Sequence, residues 1–217
     1  ASMQHGVRRS ALDGYVARNR EGTTILIRSL AKAAELVASF KQVAVDQTSV
    51  NRRYFHLGET VDEIILTLSP MIRKTPHTVV CNIPDKLTME SYPGPLGQII
   101  TNLINNAFLH GFEPGVRGTV TISATTVDRD WIQLSIQDNG IGIPQDNLDR
   151  IFDPFFTTKL GQGGSGLGLS IVYNLVTGVL GGTIQVSSSP RGGTCVTLTL
   201  PRMAPAGTHG LEPAESP

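Results

Sequence analysis

The sequence is poor in cysteine, in aromatic residues and in net charge, and it contains no long apolar run. Cys81 and Cys195 are the two cysteines among 217 residues, and they lack the spacing of a metal site. Lys and Arg number 18, as do Asp and Glu, so no charge excess favours nucleic acid or an anionic membrane as a partner. No apolar stretch approaches the ~20 residues that span a bilayer. We therefore expect a cytoplasmic chain with two buried free thiols, no membrane segment and no nucleic-acid partner.

The length of 217 residues has room for one folded domain of ordinary size and a smaller element. Hydrophobic residues make up 40% of the chain, which is enough for a buried core. Three regions follow one another, over residues 1–53, 54–202 and 203–217. The last region is rich in Pro, Ala and Gly without any periodicity, so we expect it to be a disordered tail.

The first region has the pattern of one long helix. Apolar residues from Leu12 to Ala44 recur in steps of four and three, which places a stripe along one helix face, although Gly22 weakens the helix. Such a helix either packs on its own domain or buries its stripe in a bundle or dimer. Its length and the charged residues on its other faces favour a bundle or dimer.

The second region alternates between helical and strand patterns. In chain order the spacing predicts a helix over 61–72, a strand over 78–83, a helix over 95–110, a hairpin of strands over 118–126 and 131–137, a helix over 167–180, and strands over 183–187 and 194–200. Residues 46–53 are a polar break and residues 145–166 a long loop. Loops of that length inside a domain are usually functional or mobile.

One carboxylate and two glycines meet at the end of a predicted strand, in the segment Asp138-Asn139-Gly140-Ile141-Gly142-Ile143-Pro144. An ionised Asp138 can accept a hydrogen bond from an exocyclic amine. Gly140 and Gly142 let the backbone pass close to a flat ligand. The same letters also suit a tight turn, so the neighbouring motifs have to decide between the two interpretations.

Two amides lie on one face of the predicted helix over 95–110. Asn102 and Asn106 are four residues apart, and the apolar residues occupy the opposite face. Amide oxygens are neutral, hard ligands that suit Mg²⁺, which takes its other ligands from water and phosphates. The alternative is that both amides are solvated or cap local backbone.

A glycine-rich segment, Gly161 to Gly168, runs directly into a predicted amphipathic helix. It includes Gly164 and Gly166, and the helix begins near Leu167. Exposed backbone N–H groups and the positive end of a helix favour an anion such as a phosphate. No Lys-Ser/Thr follows the glycines, so the segment is not a Walker loop. A flexible linker is the alternative.

These three motifs, together with Phe152-Asp153-Pro154-Phe155-Phe156-Thr157-Thr158-Lys159, resemble the ATP-binding domain of the sensor histidine kinases of two-component signal transduction. The resemblance covers nearly all of residues 55–201. It implies an α+β fold, a two-layer α/β sandwich of the Bergerat (GHKL ATPase) type, preceded by a long helix of a helical-hairpin dimerisation domain. In these terms, residues 1–53 are the second hairpin helix of the dimerisation and histidine-phosphotransfer domain, and residues 54–202 are the catalytic ATP-binding domain.

The resemblance also implies ligands and partners. ATP and Mg²⁺ are the expected cofactors, the full-length protein is expected to form a homodimer through its hairpin helix, and the receiver domain of a response regulator is the expected protein partner. A membrane-anchored full-length protein is compatible with this family.

Individual residues take their roles from the same resemblance. Asp138 recognises adenine, Asn106 is the magnesium ligand and Asn102 lines the same site, whereas Asn105 is not required. The glycine-rich segment faces the phosphates, through Gly164, Gly166, Leu167 and Gly168. No residue is assigned as catalytic, because the acceptor histidine is absent.

Three further positions keep two interpretations. His110 stands where the family places a residue near the phosphates, or it is a helix-end histidine stabilised by the helix dipole. Thr194 matches a threonine of the nucleotide pocket, or it is an ordinary strand residue. Lys159 contacts the terminal phosphate, or it is a solvated lysine. Leu109 departs from the family, because many members carry Lys or Arg there.

The phosphoacceptor histidine of the family, followed closely by an acid, has no counterpart in this sequence. His5 is followed by Gly-Val-Arg, and His56, His77 and His110 fall in the other region. We therefore expect the chain to bind ATP with Mg²⁺ and not to phosphorylate itself.

Two other functions compete with this one. An ATP-hydrolysing member of the superfamily would carry a Glu just before the asparagine, but residues 98–105 contain no acid to serve as a general base. The second alternative is a degenerate module that binds nucleotide or a protein partner without catalysis. Leu109 is the feature in favour of that alternative.

Overall fold

The structure is a computed structural model that describes residues 14–16, 18–24, 27, 51–159 and 164–206. The chain divides into two units, residues 1–44 and 45–217. In the first unit the described residues are helical. Most of the helix predicted from Leu12 to Ala44 lies outside the described residues, so its role in a hairpin stays a prediction. Nowhere in the described residues does a helix have the length and apolar character to cross a membrane.

In its described residues the second unit contains a five-stranded sheet, a two-stranded sheet and four α-helices, of which α3 is a single turn. The elements are β1 (Arg53–His56), α1 (Leu57–Ile72), β2 (Thr78–Asn82), β3 (Thr88–Ser91), α2 (Pro93–Asn106), β4 (Thr119–Thr126), β5 (Trp131–Asp138), α3 (Gln145–Leu148), α4 (Gly168–Asn174), β6 (Thr183–Ser189) and β7 (Gly193–Pro201). Two of the helices run on into single π-helical turns, α2 into Ala107–Gly111 and α4 into Leu175–Val179. Such turns are uncommon in α-helices and are frequent at functional sites.

The larger sheet has the strand order β2-β4-β5-β7-β6. The pair β2–β4 is parallel, and the other neighbours are antiparallel. The register places Val120 opposite Asp138 and Gln137 opposite Cys195, so the end of β5 lies beside the start of β7. This arrangement brings residues that are more than 50 positions apart in sequence together at one edge of the sheet.

The core lies between one face of this sheet and the helices. Alternate residues of the central strands point to that face and are fully buried, among them Ile122, Leu134 and Leu198. They pack with the inner residues of α2, such as Ile99 and Ile104, in one apolar cluster. Burying an aliphatic side chain of this size contributes about 1.5–3 kcal/mol. The result is two layers, helices on a sheet, as the sequence predicts.

Several expectations need correction at the edges of the fold. The expected boundary after residue 53 falls inside β1, and this short strand pairs with β3 in a sheet that the sequence does not predict. Arg52 also belongs to the second unit, because its guanidinium binds Glu90 at 2.6 Å. The predicted loop over 145–166 contains the short helix α3.

The expected tail and the expected burial of the thiols also differ from the structure. Residues 203–206 lie against the folded unit, where Ala204 is 1% exposed and the Tyr92 hydroxyl donates to the carbonyl of Pro205 at 2.7 Å. These residues therefore belong to the fold, and residues 207–217 lie outside the described part. Cys81 and Cys195 are both free, as expected, but they are half-buried instead of buried.

His77 links the start of β2 to the residue before β4. From its surroundings we expect the stability of the fold to depend on pH. Its Nδ1 accepts the N–H of Gly118 at 3.1 Å, and its ring lies 4.4 Å from the ring of Phe112. Burial lowers the pKa of His77 below its ordinary value, so the fold favours the neutral ring. The unfolded chain then binds more protons, and stability falls as the pH drops from about 7 through 6.5 towards the lower pKa of the folded state.

The measurement is urea unfolding of the wild type and of His77→Phe between about pH 5 and 7.5. Phenylalanine keeps the ring stacking but cannot titrate, so the variant should lose part of the decline in stability on the acid side. The pKa of His110 is also lowered, by burial and by the charge of Lys159, so some decline remains in the variant. Two curves of equal slope would contradict a role for His77.

Candidate functional site

A cleft of about 490 Å³ opens between α2 with its π-helical turn, the end of β5, and the start of α4. A volume of this size is typical of small-molecule sites. Most of the residues predicted from the sequence line it, namely Asn102, Asn106, His110, Asp138, Gly142, Gly164, Gly166, Gly168 and Thr194. Three predicted residues, Gly140, Lys159 and Leu167, lie next to the cleft and do not line it.

Asp138 is the buried carboxylate of the cleft, with 7% of its surface exposed. Its Oδ1 accepts the backbone N–H of Gly140 at 2.9 Å and that of Thr194 at 3.2 Å. Burial raises the pKa of the Asp138 carboxyl, and these two hydrogen bonds oppose the rise. No hydrogen bond within the described residues uses Oδ2. The carboxylate is therefore held by one oxygen and offers the other as an acceptor.

The glycines after Asp138 serve backbone packing at least as much as they serve a ligand. A Cβ on Gly140 would lie 2.0 Å from the carbonyl oxygen of Gly111, and Gly142 has a φ of +76° with its Cβ position 2.1 Å from the carbonyl oxygen of Ser189. The N–H of Ile141 also donates to the Gly111 carbonyl at 2.7 Å. This loop is therefore packed between the π-helical turn that follows α2 and strand β6.

Ser188 is a site residue that the sequence does not reveal. Its hydroxyl accepts the N–H of Ile143 at 2.7 Å and donates to the carbonyl of Gly193 at 2.8 Å. It also lies 3.1 Å from the hydroxyl of Thr194. Since the N–H of Thr194 holds Asp138, this network connects the β6–β7 hairpin to the carboxylate. In the run Ser187-Ser188-Ser189 nothing distinguishes it from a solvent-facing strand residue.

The amides of α2 form the second polar group of the cleft. Asn105 lines the cleft together with Asn102 and Asn106, although the family resemblance does not require it. The Nδ2 of Asn102 is buried and has no hydrogen-bond partner in the described residues. A Cβ on Gly168 would lie 3.3 Å from Oδ1 of Asn106, so the glycine lets the start of α4 come close to this amide.

The donor set at this end of the cleft suits a magnesium–phosphate group and not a cage made by protein alone. Within the described residues, no group of three or more His, Cys, Asp and Glu side chains could hold a metal ion. Mg²⁺ commonly takes one or two protein oxygens and completes its shell with water and phosphate. The amide oxygens of Asn102 and Asn106, both on residues that line the cleft, are of the type that could supply such protein ligands.

Lys159 lies beside Leu109, the position where the sequence departs from the family. Its ammonium donates to the carbonyl oxygen of Leu109 at 2.5 Å. One residue earlier, the hydroxyl of Thr158 lies 3.2 Å from Nδ1 of His110. Burial lowers the pKa of His110, and the positive charge of Lys159 lowers it further. The segment after Phe156 thus brings a cation to the place where Leu109 supplies none.

The described part of the glycine-rich segment is tied to the phenylalanine segment before it. Gly166 has a φ of +73°, and a Cβ there would lie 2.5 Å from the carbonyl carbon of Phe155. Its carbonyl oxygen accepts the N–H of Phe155 at 2.7 Å. The N–H of Leu167 donates to the Ser165 hydroxyl at 3.3 Å. Gly161 lies outside the described residues.

The remaining wall of the cleft is mainly apolar, and the sequence does not predict it. It consists of side chains from β5, the Asp138 loop, β6, β7 and the segment before Gly164, including Ile136, Ile141, Ile143, Ile151, Phe156, Val186 and Val196. An apolar wall beside one carboxylate suits a flat heterocycle that carries an amine. Ile136, Val186 and Val196 share the alternating pattern of core strand residues, so that pattern alone cannot separate wall from core. The other wall residues lie in loops, where no periodicity marks them.

Comparison with known proteins identifies a matching family. The profile of the family described as "Histidine kinase-, DNA gyrase B-, and HSP90-like ATPase" matches residues 92–204, just over half of the chain. Sensor protein DegM of Bacillus sp. (strain B21-2) is 27% identical over 210 residues, covering 93% of this chain and 53% of that protein. Sensor histidine kinase ZraS of Escherichia coli (strain K12) is 40% identical over 113 residues, covering 52% and 23%. The chain thus spans about half or less of the length of these relatives.

Solved structures of histidine kinases share this fold. The catalytic domain of histidine kinase ThkA superposes with a TM-score of 0.61 at 27% identity, over 70% of this chain and 97% of that one. The mycobacterial sensor histidine kinase MprB gives a TM-score of 0.58 at 26% identity, over 70% and 97%. These likenesses confirm the expected two-layer sandwich of the Bergerat type.

Proposed function

The chain belongs to the histidine kinase-, DNA gyrase B- and HSP90-like ATPase family and carries a catalytic domain of the sensor histidine kinase type, and from this we propose that it supplies the nucleotide half of a histidine phosphotransfer reaction. It binds ATP in the cleft and presents the γ-phosphate to a histidine, from which a response-regulator aspartate receives it. The whole protein acts as a homodimer through its hairpin helices.

One observation carries this proposal: the same cleft is lined by an acceptor for a base and by amides for a phosphate–metal group. Asp138 offers Oδ2 to the exocyclic amine of adenine, between apolar walls. Asn106 and Asn102 line the same cleft from α2. Guanine has a carbonyl where adenine has its amine, so the carboxylate would reject it.

The residues at the phosphate end divide the work of positioning and charge stabilisation. Asn106 and Asn102 would hold Mg²⁺ through amide oxygen, and the ion would neutralise phosphate charge. Lys159 exchanges the Leu109 carbonyl for the terminal phosphate, which restores the cation that Leu109 does not provide. In phosphoryl transfer the protein mainly positions the phosphates and stabilises charge, so no general base on α2 is required.

The phosphate acceptor lies outside this sequence, and this leads to a direct test. Titration calorimetry of the chain with ATP, with a non-hydrolysable analogue and with GTP should show adenine-selective binding that Mg²⁺ strengthens. Incubation with ATP labelled on the γ-phosphate should leave no acid-labile phosphate on the chain. Lack of any nucleotide binding would favour a protein-interaction module, and acid-labile phosphate on the chain would place an acceptor histidine within it.

A further inference from the structure

Gly111 ends the π-helical turn Ala107–Gly111 and lies directly over the carboxylate of Asp138. A Cβ built on Gly111 would lie 3.3 Å from Oδ1, 3.4 Å from Cγ and 3.6 Å from Oδ2 of Asp138. These near-equal distances place it above the face of the carboxylate and not at one oxygen. Gly111 is buried in the protein and lines the cleft. The missing side chain therefore leaves one face of the carboxylate open.

The backbone at this position does not itself demand glycine. The glycines with positive φ in the described residues are Gly115, Gly142, Gly166, Gly181 and Gly193, and Gly111 is not among them. Alanine is also a better former of helical turns than glycine. The carbonyl oxygen of Gly111, which receives the N–H of Ile141 and packs against Gly140, would be kept by any residue. What glycine alone provides here is the space beside Asp138.

That space matters because only one oxygen of Asp138 is occupied. Gly140 and Thr194 donate to Oδ1, and no donor within the described residues reaches Oδ2. A methyl group over the carboxylate would crowd the approach of a donor to Oδ2 and would press on an oxygen that two N–H groups already hold in place. A hydroxymethyl group would go further, since its O–H could donate to the carboxylate and compete with the ligand.

We propose that Gly111 is a specificity-determining residue, whose missing side chain keeps the Asp138 carboxylate open to the exocyclic amine of the bound base. The proposal rests on the proposed function, because it takes adenine as the base. It assigns the recognition of the amine to two elements together: β5 supplies the carboxylate, and the turn after α2 controls access to it.

The test compares ATP with inosine triphosphate, which has a carbonyl in place of the amine. The wild-type chain should bind ATP more tightly than inosine triphosphate. In Gly111→Ala the affinity for ATP should fall about tenfold while that for inosine triphosphate hardly changes, so the preference largely disappears. Gly111→Ser should lose at least as much ATP affinity. The midpoint of thermal unfolding of Gly111→Ala should stay close to that of the wild type or rise above it.

Gly97→Ala is the matched control. Gly97 is also a helical glycine, on α2, and its Cβ position lies 3.5 Å from the side chain of Ile64 in ordinary contact. This variant should keep both affinities and their ratio. The proposal is overturned if Gly111→Ala keeps the wild-type preference, if it weakens both nucleotides equally, or if it fails to fold, because glycine would then serve packing. A wild-type chain that binds neither nucleotide would instead refute the proposed function.

Discussion

Exchanging Asp138 for asparagine is expected to weaken ATP binding by about 30- to 150-fold, which corresponds to about 2–3 kcal/mol for a lost hydrogen bond to a charged group. The geometry explains why so conservative a change has this effect. Oδ1 receives two backbone N–H groups, from Gly140 and Thr194, so asparagine has to place its carbonyl oxygen there. Its N–H₂ then replaces Oδ2, and a donor faces the amine of adenine.

The measurement is titration calorimetry with ATP, and Asp85→Asn is the control. Asp85 is exposed in the turn between β2 and β3 and is not among the residues that line the cleft, so its exchange removes the same charge outside the cleft. It should bind ATP like the wild type, and the unfolding transitions of both variants should show that they are folded. An Asp138→Asn affinity within about threefold of the wild type would mean that the carboxylate does not recognise the base.

Much of the fold could be predicted because its strands are long and alternate regularly. β4 and β5 form a hairpin whose turn is stabilised locally: Asp128 accepts the N–H groups of Asp130 and Trp131, each at 2.9 Å. Local turn chemistry and a period of two residues are both visible in sequence. Each of these strands buries every second side chain, as Ile132, Leu134 and Ile136 do on β5. The periodicity therefore predicts both the element and the face that it buries.

β1 and β3 could not be predicted, because nothing local specifies them. Each has four residues, and they pair across α1 and β2 with Arg53 opposite Ser91. The partner of such a strand is decided by tertiary packing, as when the C-terminal residues join in: the N–H of Ala204 donates to the carbonyl of Glu90 at 2.9 Å. A period of two residues is hardly detectable over four positions.

The polar residues of the candidate site were accessible from sequence, but the reasons for some of them were not. Asp138 and Asn106 carry chemistry that is visible in the letters themselves. Gly140 was predicted for close passage of a ligand, whereas the structure uses it for contact with the carbonyl of Gly111. Ser188 reaches Ile143 over 45 positions and could not be found from local pattern. The contact of Lys159 with Leu109 joins residues 50 positions apart, so the sequence does not reveal it either.

Replacing Asn106 with alanine is expected to abolish the strengthening of ATP binding by Mg²⁺, a loss of at least about tenfold in the presence of the ion. Asn106 is the last residue of α2, and its amide lies against Gly168 at the start of α4, where the phosphates of the proposed nucleotide complex lie. Among the described residues no acidic cluster stands ready to hold the ion instead. Binding of ATP without Mg²⁺ should persist, because the adenine end of the cleft keeps Asp138.

The measurement compares the affinity for ATP in Mg²⁺ with that in a chelator, for the wild type, Asn106→Ala and Asn174→Ala. Asn174 is exposed at the end of α4, so its replacement removes the same amide from a helix without touching the cleft. That variant should respond to Mg²⁺ like the wild type. If Asn106→Ala lost affinity equally in both conditions, the amide would act by packing against α4. If it kept the full response to Mg²⁺, the ion would be held by the phosphates and water alone. A loss confined to the Mg²⁺ condition is the outcome that only a metal ligand produces, since packing against Gly168 is the same with and without the ion.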